Sequence, residues 1–293
     1  MVRAIEFAGL RMDYVDDDDE TLCALKDIDF QASEGEFISI VGASGCGKTT
    51  LLKITAGLLT PTAGEVRVLE NPVRGPTQNV GFVFQSAVLL RWRSILRNIL
   101  LQVEVRGLDK KEYTRRAQAL LELVGLEGFE DKYPFQLSGG MQQRAAICRA
   151  LIHDPPLLLM DEPFGALDAL TREQMHLELQ EIWMESGKTV LFVTHSIPES
   201  VFLSDRIVVL SSRPGRICEI VPVDLPRPRE IGIDEDPRFS RLVNHIRKLL
   251  EGTQVTSRRQ LSKAVLSSTF RKKGTEQKKG TSEQIVTVRR NEG

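Results

Sequence analysis

Phe37-Ile38-Ser39-Ile40-Val41-Gly42-Ala43-Ser44-Gly45-Cys46-Gly47-Lys48-Thr49-Thr50 is an apolar run that flows directly into a glycine-rich loop. Its first five residues predict a short, buried strand. Gly42, Gly45 and Gly47 let the backbone turn with its amides pointing inward, which makes a nest for a phosphate chain. Lys48 then stands where an ammonium reaches β- and γ-phosphates, and the Thr49 hydroxyl is a ligand for Mg²⁺. Residues 49–58 read as a helix, with Leu51, Leu52 and Ile54 available for packing and Gly57 near its end. Strand, loop and helix follow one another in the order this chemistry requires. Cys46 has two readings, a small loop filler or an oxidisable thiol. The loop alone implies a nucleotide without saying which reaction.

Working outward, residues 3–14 and 22–31 look like strands on either side of the acidic run Asp16-Asp17-Asp18-Asp19-Glu20, an exposed hairpin connection. Tyr14 ends the first strand and is a candidate for stacking on adenine; a core role is the alternative. Residues 65–69, 80–84, 157–160, 189–194 and 206–210 predict further strands. Between 88 and about 155 the pattern becomes helical. Asp109 and Glu112 suggest a capping box for a helix that presents Ala117, Leu120, Leu121 and Val124 on one face and stops at Gly125. Continuous apolar strands alternating with helices imply a parallel sheet covered on both faces. No internal repeat is visible, so one nucleotide-binding unit is expected.

Three further clusters carry chemistry. Asp161 ends an apolar strand and is expected to face the metal, while Glu162, one residue on, is placed to polarise a water in line with the γ-phosphate. A salt-bridged strand end is the plain alternative for Glu162. His195 ends the 189–194 strand at the sheet edge where open α/β folds bind ligands. Ser196, Pro198 and Glu199 suggest a capped helix start just after it. Gln85 follows the 80–84 strand at the joint with the helical block, where its amide can ligate Mg²⁺ or the attacking water. In Leu137-Ser138-Gly139-Gly140-Met141-Gln142-Gln143-Arg144, Ser138 can cap a helix over 139–151 whose two leading glycines leave its amides uncovered. Bare amides at the positive end of a helix attract phosphate. A second anion site in a chain that already has one is explained if it faces the nucleotide of another copy.

This set of motifs resembles the ATP-binding subunits of ABC transporters, over residues 4–250. The resemblance implies a P-loop core with a parallel sheet, an N-terminal antiparallel β subdomain and a helical subdomain at about 88–155. It implies ATP and Mg²⁺ as ligands, ATP hydrolysis, and His195 as the switch histidine at the γ-phosphate. Two copies, or one copy and a paralogous subunit, would sandwich ATP between 42–50 of one chain and Ser138, Gly139 and Gly140 of the other. Ala166-Leu167-Asp168 resembles the loop that touches the partner beside the active site. Val88, Leu89, Leu90, Trp92 and Leu96 offer a groove for a short permease helix, or else pack within the helical block. Arg91 stands where relatives often carry Pro. Arg213-Pro214-Gly215-Arg216-Ile217 and Val223-Asp224-Leu225-Pro226-Arg227-Pro228 resemble the nitrate/sulfonate/taurine/bicarbonate importer branch, as does the stretch from Phe164 to Arg172. In that branch an extracytoplasmic binding protein delivers the solute to separate permease chains. The plain reading of Arg-Pro-Gly-Arg is a turn after a strand.

Composition bounds the rest. The 293 residues are 41% hydrophobic and 27% charged, ordinary for a globular chain. There is neither an apolar run of spanning length nor a secretory pattern; the resemblance implies a peripheral location at the cytoplasmic face of the inner membrane. Cys23, Cys46, Cys148 and Cys218 lack metal-ligand spacing, and reduced thiols are expected. The net charge of −1 hides an asymmetry: residues 252–293 hold ten Lys/Arg against three acids. The expected division is a nucleotide-binding domain over 1–251 and a basic, disordered tail over 252–293. That tail is read as a solvated extension, with anionic lipid or nucleic acid as alternatives. No specific nucleic acid is expected, and an ATPase acting on nucleic acid or ribosomes is the rival to the transporter.

Overall fold

The computed structural model describes residues 3–15, 19–165 and 167–253. Residues 1–250 form one compact unit, and 251–293 a second of which only 251–253 are described, in helical conformation. Asp16, Asp17, Asp18, Ala166 and residues 254–293, most of the basic tail, lie outside the described residues.

Two sheets organise the compact unit. The first is antiparallel, in the order β2-β1-β4-β5: β1 (Arg3–Val15), β2 (Thr21–Ser33), β4 (Ala63–Val68) and the two-residue β5 (Asn71–Pro72). The second has the order β10-β9-β3-β8-β7-β6 and includes β3 (Phe37–Gly42), β6 (Val80–Val83), β7 (Leu157–Asp161), β8 (Thr189–Val193) and β9 (Arg206–Leu210). Those five strands run parallel, and β10 (Ile217–Pro222) adds an antiparallel edge to β9. β3 shows why its sequence is apolar throughout. Phe37 and Val41 pack into one buried cluster with the helical elements, while Ile38 and Ile40 enter a second cluster with β1, β2 and the helix after the glycine loop. Ser39 is fully buried and pairs with the Ser204 hydroxyl.

That helix, α1 (Lys48–Thr55), ends three residues before the expected position because Gly57 turns left-handed, φ 72°, and donates back to Ile54 at 2.9 Å. The helical block comprises α2 (Ile95–Ile99), α3 (Leu101–Arg106), α4 (Lys110–Leu123) and α5 (Gly139–Leu151). It is interrupted between α4 and α5, where a single 3-10 turn over Pro134–Gln136 is the only regular element. Ser138 caps α5 as expected, its oxygen accepting from the Met141 amide at 3.3 Å. Asp109 caps α4 through the Lys111 amide at 2.8 Å, not through Glu112, so the expected box is reduced to a single cap. α5 is buried around most of its girth: every residue from Ala145 to Leu151 is buried, Arg149 included.

Several elements went unanticipated, among them β5 and the final helix, and two matter most here. One is β10; the other is α6 (Ala169–Ser186), which buries Met175, Leu179 and Ile182 at helical spacing. Burial of such side chains contributes about 1.5–3 kcal/mol each. α7 (Ile197–Leu203) begins at Ser196 as expected, and a final helix starts at residue 237. Among the described residues no helix is long and apolar enough to cross a membrane.

Candidate active site

Strand register brings the chemistry to one edge of the parallel sheet. Gly42 pairs with Leu210, Ile40 with Val193, Asp161 with Val193 and Val83 with Met160. Residues just beyond these ends therefore share a rim: 42–49 after β3, Gln85 after β6, Glu162 after β7 and His195 after β8. Such a rim is where open α/β sheets bind ligands.

The loop is held open by its glycines. Gly45 and Gly47 have φ of 73° and 98°, and a Cβ on Gly47 would lie 2.6 Å from Leu25. Cys46 points away from the rim and is fully buried; burial pushes its thiol up, which suits a filler rather than a reactive thiol. Lys48 lies along the inside of the loop and donates to the carbonyls of Gly42 at 3.0 Å and Ala43 at 3.1 Å. Thr49 donates through Oγ1 to Asp161 at 3.0 Å. Burial is the largest influence on the Asp161 carboxyl and raises it, against the opposing hydrogen bond from Thr49.

Glu162 sits at φ 46°, a left-handed backbone uncommon for a residue with a Cβ. This turns its carboxylate away from that of Asp161. One oxygen meets His195 Nε2 at 2.6 Å and the other accepts from Gln85 Nε2 at 3.3 Å. Lys48 Nζ stands 3.4 Å from His195 Nδ1. The ring thus lies between the Lys48 ammonium and the Glu162 carboxylate, one nitrogen toward each. The segment around His195 is braced from below. Thr194 donates to Glu199 and accepts from the Ser196 amide at 2.9 Å, and His176 of α6 meets Glu199 at 2.8 Å. Glu199 is thus a buried tether and not the second half of a capping box.

Tyr14 is partly exposed, and its hydroxyl lies 3.1 Å from Thr50 Oγ1. Together these groups line a cleft of about 360 Å³ whose walls include Tyr14, Ser44, Lys48, Gln85, Glu162 and His195. That volume is within the range of small-molecule sites. Gly45, Gly47, Thr49 and Thr50 also line it, as do Leu22, Ala24 and Arg213, none of which the sequence alone places at the nucleotide site. Ser138, Gly139, Gly140 and Asp168 do not line this cleft. A Cβ on Gly139 would meet nothing within 4 Å. Asp168 caps α6, accepting from the Thr171 amide at 3.0 Å and hydroxyl at 2.7 Å, and these bonds hold its carboxyl below the usual range.

Against known proteins, the family described as "ABC transporter" matches residues 25–165. An ABC transporter ATP-binding protein of Methanocaldococcus jannaschii, itself uncharacterised, is 54% identical over 207 residues, 71% of this chain and 78% of that one. This chain belongs to the ABC transporter ATP-binding family. A taurine import ATP-binding protein of Pelagibacter ubique is 46% identical to the cassette over 219 residues, 75% of this chain and 82% of that one. Among solved structures, a dimeric ATP-binding cassette in a post-hydrolysis state with ADP and Pi has a TM-score of 0.67 and 33% identity, covering 76% of this chain and all of that one. The dimeric structure of a bacterial ABC transporter cassette gives 0.68 and 34% over the same share. The ABC ATPase therefore binds ATP and hydrolyses it in the service of transport, on the P-loop fold that the resemblance implied.

Proposed function

We propose that this ABC ATPase is the motor subunit of an importer for a small anionic or zwitterionic solute of the nitrate, sulfonate, taurine or bicarbonate kind. The observation that carries its catalytic half is the contact of Glu162 with both His195 and Gln85 above the phosphate loop. In this reading Lys48 leaves the Gly42 and Ala43 carbonyls to hold the β- and γ-phosphates. Glu162 orients the attacking water and accepts its proton, His195 reports the γ-phosphate, and Tyr14 stacks on adenine. Gln85 carries the state of the site toward the exposed Val88 and Trp92, where a permease helix docks.

Thr49 Oγ1 and the Asp161 carboxylate, with the Gln85 amide, are hard oxygen donors that fit Mg²⁺. Among the described residues no group of three or more His, Cys, Asp or Glu could hold a metal by itself, which suits an ion shared with phosphate oxygens. Bound there, Mg²⁺ supplies neutralising charge to the phosphates. Ser138, Gly139 and Gly140, with Asp168 beside them in the partner-facing loop, complete the site of a second copy. The nucleotide-binding domain spans 1–251 and works at the cytoplasmic face of the membrane, with a binding protein on the far side.

The relatives named for taurine import favour this reading over one on nucleic acid. The test is recovery of the tagged chain from membranes with its permease subunits, followed by phosphate release in lipid with candidate solutes and their binding protein. Turnover that rises with a sulfonate or similar solute is expected. Turnover that ignores permease and rises with DNA or RNA would reject the importer.

A further inference from the structure

The segment 211–216 lies between β9 and β10; by sequence its Arg213-Pro214-Gly215-Arg216 stretch resembles an importer branch, with a turn after a strand as the plain alternative. Its position is set by register: Leu210 pairs with Gly42, so the residues after β9 must emerge beside the phosphate loop. The turn is tied on every side. Ser211 donates its amide to Arg216 at 2.9 Å and its hydroxyl to Pro214 at 2.9 Å. Gly215 donates to Ala24 at 2.8 Å and accepts from Lys26 at 2.9 Å, which bonds the turn to β2. A Cβ on Gly215 would stand 2.1 Å from the Cys46 carbonyl oxygen, so the turn touches the phosphate loop itself.

Two arginines leave this fixed turn in different electrostatic states. Arg216 is ion-paired with Asp27 at 2.6 Å. Arg213 donates through Nε to the Gly45 carbonyl at 3.2 Å, and no carboxylate lies within ion-pair distance of it among the described residues. Its guanidinium lies over Gly45, with a terminal nitrogen 2.9 Å from where a Cβ would be. It lines the same cleft as Ser44, Lys48 and Thr50. With Nε engaged, four N–H donors are free, and a guanidinium fork matches phosphate oxygens well.

We propose that Arg213 is a nucleotide-binding residue that contacts the polyphosphate of ATP and ADP from outside the glycine loop. The proposal rests on residues 42–50 being the nucleotide site, and Lys48 serves as the control for that. The experiment measures binding of MgATP, MgADP and AMP to the full chain by calorimetry, in Arg213→Ala, Arg213→Gln and Lys48→Ala variants. Arg213→Gln keeps a donor for the Gly45 carbonyl and removes the charge, which separates a strut from a ligand. Both Arg213 variants are expected to weaken ATP and ADP about tenfold, the scale of one hydrogen bond to a charged group, and to leave AMP within twofold. The melting temperature without nucleotide should not change in Arg213→Gln. ATP affinity within twofold of the parent in Arg213→Gln, with Lys48→Ala still impaired, would reduce Arg213 to a brace for the loop. No loss in either Arg213→Gln or Lys48→Ala would remove the nucleotide site and the proposal together.

Discussion

Two helices of this protein start with glycine-flanked, amide-bearing turns, and they are equipped differently. α1 begins inside a cleft that its own chain furnishes with Lys48, Glu162 and His195, with Asp161 bonded to Thr49 behind it. α5 begins at Ser138 with one side-chain cap and open space in front of Gly139. The first brings an ammonium, two carboxylates and an imidazole together; the second, among the described residues, offers aligned amides and a serine cap. On the proposed function, this difference makes binding and turnover separable: one terminus would hold a nucleotide by itself, and the other would act only when brought to a nucleotide held by a second copy.

The largest effect expected is at the furnished end. Glu162→Gln should lower ATP turnover by about 10²–10⁴-fold while binding persists, read as phosphate release against nucleotide affinity. A variant with near-parental turnover would move the water-activating role to another group. At the bare end, Gly139→Asp leaves the isolated chain undisturbed, because a side chain there meets nothing and an acid suits a helix N-terminus. It should nonetheless reduce turnover roughly 10²-fold by opposing phosphate, with ATP affinity of the single chain unchanged. Equal loss of binding and turnover would erase the distinction between the two termini.

The smallest effect lies just past the other end of α5. His153 is held down to about 4, first by burial and then by Arg106. Its folded value lies below the unfolded one of about 6.5, so the unfolded chain takes up the proton first and stability falls as pH drops from about 6.5 to 4. Thermal melts at pH 7.5 and 5 should differ less in His153→Leu than in the parent. An unaltered difference would assign the acid sensitivity to other groups.

Much of this architecture was legible because its signals are local. The apolar 37–41 run, the Ser138 cap and the Gly125 stop each depend on a few neighbouring residues, and the structure keeps all three. α6 escaped notice because its apolar residues do not fall on one stripe: Leu170 and Met184 are exposed while Met175, Leu179 and Ile182 are buried. Ser196 and Glu199 have the spacing of a capping box, yet Thr194 and His176, one just past β8 and one from another helix, take the carboxylate instead. The same limit hid Arg213, since its place beside Gly45 follows from the pairing of β9 with β3 and from nothing in its own segment.

One backbone angle carries a consequence for how this chain responds to selection. Position 162 is left-handed, which glycine adopts freely and asparagine tolerates, whereas glutamate adopts it under strain costing about 1–3 kcal/mol. A library screened only for heat resistance would therefore enrich Gly or Asn at 162, and, on the role proposed for Glu162, its sturdiest members would be idle motors.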